Sequence, residues 1–238
     1  MRRYDVLIAT SIAALAGAAW LALWAMPAPD QTAMPHHHHH GAMAAGSPML
    51  TALAVSVGGW TVMTIAMMLP TIVPLLTTFA AVARDRRDRL LLIALVVAGY
   101  LLTWAVCGAA VFAGQQMLKG VAVSGAGVLL LAGVYQFTPL KQACLEKCRS
   151  PLSFVIARWQ GRRHQWQALR LGIDHGVFCV GCCWALMLLM LAAGMANLAW
   201  MLGLAIVMAI EKNVRWGRRL TAPIGIILLV SAASLLWR

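Results

Sequence analysis

Soft metal-ligand side chains recur at helical spacing between Gly172 and Met190. His175, Cys179, Cys183 and Met187 each stand four residues apart, and Cys182 lies three after Cys179. On a helix, such spacings fall on one face. The surrounding residues are apolar, so the face would carry thiols, an imidazole and a thioether inside a hydrophobic segment. Such groups are costly in lipid unless they have a partner, and a bound metal supplies one. Thiolates favour Cu(I), or after it Zn(II), over hard cations. Packing gives the opposing reading. Cysteine behaves as a small hydrophobe in buried helices, and Gly172 with Gly176 forms a small-xxx-small pair that needs no metal.

Two further stretches offer ligands of the same kind. Cys144 and Cys148 stand four apart and could join His175 and Cys179 in a site of three or four ligands. Met63, Met67 and Met68 lie just before Pro70 in another apolar run. Thioethers suit Cu(I) or Ag(I), and Met187, Met190 and Met195 could face them across the bilayer, although methionine is also ordinary core filler. The run His36–His40 could catch a divalent ion as an accessory site. Asp174 and Glu211 are acids near the ends of apolar runs. Asp174 could pair with Arg170, four residues away, and Lys212 adjoins Glu211 but points to a different face.

These groups need a frame, and composition says which. Of 238 residues, 62% are hydrophobic and 11% charged, which describes no ordinary soluble domain. The expectation is an all-α polytopic transmembrane bundle, one integral membrane domain over residues 1–238. Seven apolar runs fit, near 6–26, 51–82, 90–114, 121–138, 172–193, 197–211 and 221–237. The first is read as retained rather than cleaved. Pro70 and Pro74 should kink or break the second. With the N-terminus inside and the C-terminus outside, 17 of the 19 basic residues fall on the inner side, Lys119 and Arg238 being the exceptions. That asymmetry is the signature of membrane orientation, and it explains a formal charge of +12 without nucleic acid. It places His175 just within the inner interface, with the cysteines about 10–16 Å deeper at 1.5 Å per residue.

Residues 27–50 would be a flexible His-rich outer loop. Residues 139–171 would be a basic inner loop, with Phe154, Val155, Ile156, Trp159, Trp166 and Leu169 along the inner membrane surface. No Gly-rich phosphate cradle or phosphorylatable aspartate motif is present, which argues against ATP-driven pumping by this chain alone.

The stretches Trp60–Pro70, Tyr135–Pro151 and Gly172–Met187, with Ala199–Met201 and Glu211–Lys212, resemble a bacterial family of predicted metal-binding integral membrane proteins, domain of unknown function 2182. The resemblance covers about residues 50–215 and implies a metal-binding membrane protein without a substrate or reaction. The reading that follows is handling or transport of a soft metal, copper before zinc, in the bacterial cytoplasmic (inner) membrane. Cys144, Cys148, His175, Cys179, Cys182 and Cys183 would form the main site, with Met63, Met67 and Met68 toward the outer side and Met187 beside it. Its partners would be the bilayer, the metal ion and a membrane or periplasmic metalloprotein. One alternative is a membrane thiol–disulfide oxidoreductase with Cys144/Cys148 and Cys182/Cys183 as redox pairs. Against it stand the reducing side of the membrane and the strain of a disulfide between adjacent residues. Another is a non-catalytic assembly factor that delivers metal through the inner loop.

Overall fold

Inside a bilayer each backbone N–H and C=O must find its partner within the protein, so apolar runs of this length fold as helices. A computed structural model describes residues 2–25, 48–84, 86–118, 125–160, 163–193 and 198–237, and every regular element among them is helical. The long helices are α1 (Arg2–Ala25), α2 (Pro48–Met67), α4 (Arg89–Met117), α8 (His164–Ala193) and α10 (Thr221–Leu236). Between them lie α3 (Val73–Val82), α5 (Gly125–Tyr135), α6 (Pro139–Cys148), α7 (Pro151–Arg158) and α9 (Leu198–Asn213). Five segments are long and apolar enough to cross a membrane: Tyr4–Ala25, Met49–Met67, Arg89–Met117, His164–Met190 and Gly217–Leu236. Large apolar side chains such as Leu21, Val55, Leu102 and Ile227 are exposed on their outer faces, as lipid-facing positions require. This is an integral membrane helical bundle.

The second apolar run divides where its prolines stand. α2 stops at Met67, Leu69–Ile72 forms a short 3-10 turn, and α3 begins at Val73 with Pro74 in its first turn. Pro70 has no N–H to give to the carbonyl of Ala66, four residues back. The Trp20 indole of α1 donates to that oxygen instead, at 3.1 Å. The freed carbonyl therefore ties two helices together, and the break turns Met68 into the core, where it is fully buried.

The pair α4 and α8 forms the spine of the bundle, and glycine sets its spacing. A methyl group on Gly172 would lie 2.0 Å from the Val96 carbonyl oxygen, and one on Gly99 would lie 2.2 Å from that of Leu169. Only glycine lets the two backbones approach so closely. The contact carries Tyr100 of α4 onto the cysteine face of α8.

Several expectations change here. The run 121–138 is helical only over Gly125–Tyr135 among its described residues, and the Thr138 hydroxyl then caps α6 by accepting from the Lys141 N–H at 3.3 Å. The region expected as a loop over 139–171 is two helices, α6 and α7, and the start of α8, which begins at His164 rather than 172. Phe154 and Val155 do not lie along a membrane surface; they are buried against the bundle, while Leu152 and Ile156 point outward. An amphipathic helix needs its apolar face covered, and here protein covers it rather than lipid. The loop expected over 27–50 overlaps α2 from Pro48, and the rest of it, with His36–His40, lies outside the described residues, as does Met195.

Candidate metal centre

Four elements meet at the cysteine face of α8: the 3-10 break after α2, α4, α6 and the last turn of α9. The sulfur atoms of Cys179, Cys182 and Cys183 lie within 4.8 Å of one another, and all three residues are buried. Helical spacing alone accounts for this, since residues three and four apart share a face. The Cys182 and Cys183 thiols both turn back to the Cys179 carbonyl, at 3.1 and 2.9 Å. From α6, the Cys148 sulfur approaches that of Cys182 to 4.0 Å. From the break after α2, the Met68 thioether lies 3.8 Å from the Cys183 sulfur. Five sulfur atoms from three parts of the chain thus converge at one buried point.

Two groups that the spacing did not single out complete the centre. The Tyr100 hydroxyl is 3.0 Å from the Cys179 sulfur. The Lys212 ammonium of α9 donates to three sulfurs: Cys179 at 2.9 Å, Met68 at 3.3 Å and Cys183 at 3.7 Å. Glu211, beside it, turns to the buried Lys141, whose ammonium is 2.9 Å from its carboxylate. Arg149 donates to the Glu211 carbonyl and, at 2.9 Å, to that of Arg215. The first is an open carbonyl in the last turn of α9 and the second lies two residues past its end at Asn213, where a cation is favoured. The cap holds the end of α9 against α6 and so holds Lys212 on the thiols. The signal that could have found Lys212 is its type: an ionisable residue at the end of an apolar helix is a functional candidate by default.

The remaining candidates separate from the cluster to different degrees. His175 is buried one turn before Cys179, but its ring packs between Tyr100 and Phe154, with centroids 6.1 and 5.3 Å away. Its Nδ1 has no hydrogen-bond partner among the described residues. Cys144 lies against the backbone of Gly181, where an added methyl would be 2.6 Å from its sulfur. Cys144 therefore faces a different side of α8 from Cys148, which meets Cys182; two residues four apart on the short α6 reach the long helix at separate points. Met63, Met67 and Met187 are buried in the core. Asp174 pairs with Arg158 of α7 at 2.8 Å rather than with Arg170. The guanidinium that wins is the one also stacked on Phe154, 3.9 Å above its ring.

The model of the PpoB2 family, described as copper chaperone, matches residues 57–235. The chain belongs to this copper chaperone family. No curated protein and no solved structure matches it. The matched span runs from α2 into α10 and contains every sulfur of the cluster, while α1 and His36–His40 precede it. Association with copper follows from the family, and the centre can be tested against that ion on its own chemistry. A metal–thiolate bond is about 2.3 Å, so two sulfurs on opposite sides of one ion stand about 4.6 Å apart. The three clustered thiols already lie at that scale. A set of thiols and one thioether is soft and suits Cu(I). The convergent sulfurs fit the association with copper that family membership brings.

Proposed function

We propose that this protein holds Cu(I) within the membrane and passes it on by ligand exchange. The ion would bind first among Cys148, Cys179, Cys182, Cys183 and Met68. The observation that carries the reading is the convergence of five sulfurs from α6, α8 and the break after α2, four of them buried and the fifth, Cys148, half-buried. Sulfurs in excess of the two or three that one Cu(I) needs would let the ion trade one ligand for another, so exchange requires no covalent chemistry. Met63 and Met67, buried on α2, and Met187, one turn beyond Cys183 on α8, would extend the soft-ligand path along the bundle, and His175 and Cys144 would serve as further ligands when the cluster rearranges. The inner-membrane setting and the N-in, C-out orientation rest on the basic asymmetry of the loops. That orientation puts the cluster nearer the inner face and suits delivery of copper taken from the reducing side. The recipient would be a membrane or periplasmic metalloprotein.

The test is metal content of the detergent-purified protein under anaerobic reducing conditions, read by mass spectrometry. Copper should co-purify and should be lost in Cys182→Ser/Cys183→Ser, while deletion of His36–His40 leaves it in place. Unchanged copper stoichiometry in the double variant would overturn the reading.

A further inference from the structure

Lys212 has no part in binding a cation by its own chemistry, yet it lies at the centre of the sulfur cluster. It is 7% exposed, and its ammonium is surrounded by Cys179, Met68 and Cys183 at 2.9, 3.3 and 3.7 Å. Among the described residues no carboxylate lies within ion-pair distance of it. The adjacent Glu211 is committed to Lys141. A buried ammonium needs a counter-charge, and the groups within reach are sulfurs. The fixed positive charge therefore belongs to the metal centre and not to a separate salt bridge.

We propose that Lys212 sets the charge of the ion that the cluster accepts, favouring a soft monocation over a dication. The inference rests on the copper-binding reading above and deepens it. An ion held by Cys179, Cys183 and Met68 shares its sulfur ligands with the ammonium. The flexible four-carbon stem lets the ammonium draw back while it stays in the same pocket. Its repulsion of the ion then scales with the ion's charge and is twice as large for Zn(II) as for Cu(I). Charge balance points the same way. Two thiolates, one Cu(I) and one ammonium sum to zero. The same two thiolates with Zn(II) leave one positive charge uncompensated in a buried site, and neutrality would demand a third thiolate. Thiolates alone do not separate these two metals, because both ions take sulfur. A resident positive charge does.

The effect of Lys212 on the thiols themselves is common to both ions, so the ratio of the two affinities is the quantity to measure. Full-length protein in detergent is titrated anaerobically with Cu(I) against bicinchoninate and with Zn(II) against a chromophoric zinc chelator. The unaltered protein is compared with Lys212→Leu, which removes the charge without adding a sulfur ligand, and Lys212→Arg. In Lys212→Leu the Zn(II)-to-Cu(I) affinity ratio should rise at least about tenfold, because one unit of charge repulsion at contact distance has been removed. Lys212→Arg, which keeps the charge, should retain the original ratio. An unchanged ratio in Lys212→Leu overturns the inference, and so does a raised ratio in Lys212→Arg. Loss of both metals together in Lys212→Leu also overturns it and makes the lysine an organiser of the thiols. Failure of the unaltered protein to bind Cu(I) would sink the copper reading and this inference with it. Cu(I) binding with an insensitive ratio would sink this inference alone.

Discussion

Two buried ammonium groups meet the end of α9 at adjacent residues and are neutralised in opposite ways. Lys141 reaches Glu211 and forms a closed ion pair, 1% and 2% exposed. Lys212 reaches three sulfurs and, among the described residues, no carboxylate. The carboxylate is a permanent partner that holds α6 to α9. The sulfurs are conditional partners that can be neutral thiols, thiolates or metal ligands. One charge is spent on architecture, and the other remains available to whatever enters the cluster. A few ångströms of helix thus carry a fixed joint and an exchangeable site side by side.

The largest effect should come from breaking the fixed joint. Glu211→Met would leave Lys141 buried without a counter-charge, at a cost of about 3–5 kcal/mol. Adding Lys141→Met should recover most of that loss, because replacing both ions by apolar groups removes the desolvation penalty. Thermal unfolding of the detergent-purified single and double variants reads both outcomes. Lys212→Met should cost less than about 2 kcal/mol, since the sulfurs it leaves can remain neutral thiols. Equal losses for Glu211→Met and Lys212→Met would erase the distinction between the two charges.

A smaller effect separates packing from ligation on the sulfur side. Met68 touches both Lys212 and Cys183, and Met68→Leu conserves its volume. Stability should change by less than about 1.5 kcal/mol. Cu(I) affinity, measured against bicinchoninate, should fall about tenfold, corresponding to about 1.4 kcal/mol. An unchanged affinity would make Met68 a core residue that happens to end near the thiols.

The contrast also shows what a sequence can disclose about such a site. The stripe from His175 to Met187 and the break at Pro70 were legible because they are local: spacing along one helix, or one missing N–H, is enough to state them. The same holds for the close approach at Gly172. Lys212 was legible only as an odd charge, because its partners lie 29, 33 and 144 residues away. Periodicity shows which face a side chain occupies and says nothing about which helix faces it. Asp174 illustrates the limit from the other side. Arg170 was the reachable partner on its own helix, but Arg158 of α7 took the position. Phe154 and Val155 were read as membrane-facing because an amphipathic pattern is the same whether lipid or protein covers it. Soft ligands already put copper before zinc, and the family match supports the association with copper without naming the donors.

The smallest effect is expected for a third kind of charge, one that is part-exposed at the surface of the bundle. Arg158 and Asp174 are 29% and 31% exposed and 2.8 Å apart, at the end of α8 that carries His164. Asp174→Asn removes one charge but not the place of the other, because the Arg158 guanidinium stays stacked 3.9 Å over Phe154. Solvent screens what remains, so the loss should be no more than about 1 kcal/mol and should shrink further in high salt. Cu(I) affinity should not move, since Asp174 is absent from the thiol group. Unfolding curves at low and high salt, with a copper titration alongside, measure all three. A loss as large as that of Glu211→Met, insensitive to salt, would mean that lipid rather than water surrounds this end of α8. The same two charges cost little in one solvent and a great deal in the other, so the size of the effect locates the membrane boundary along the helix.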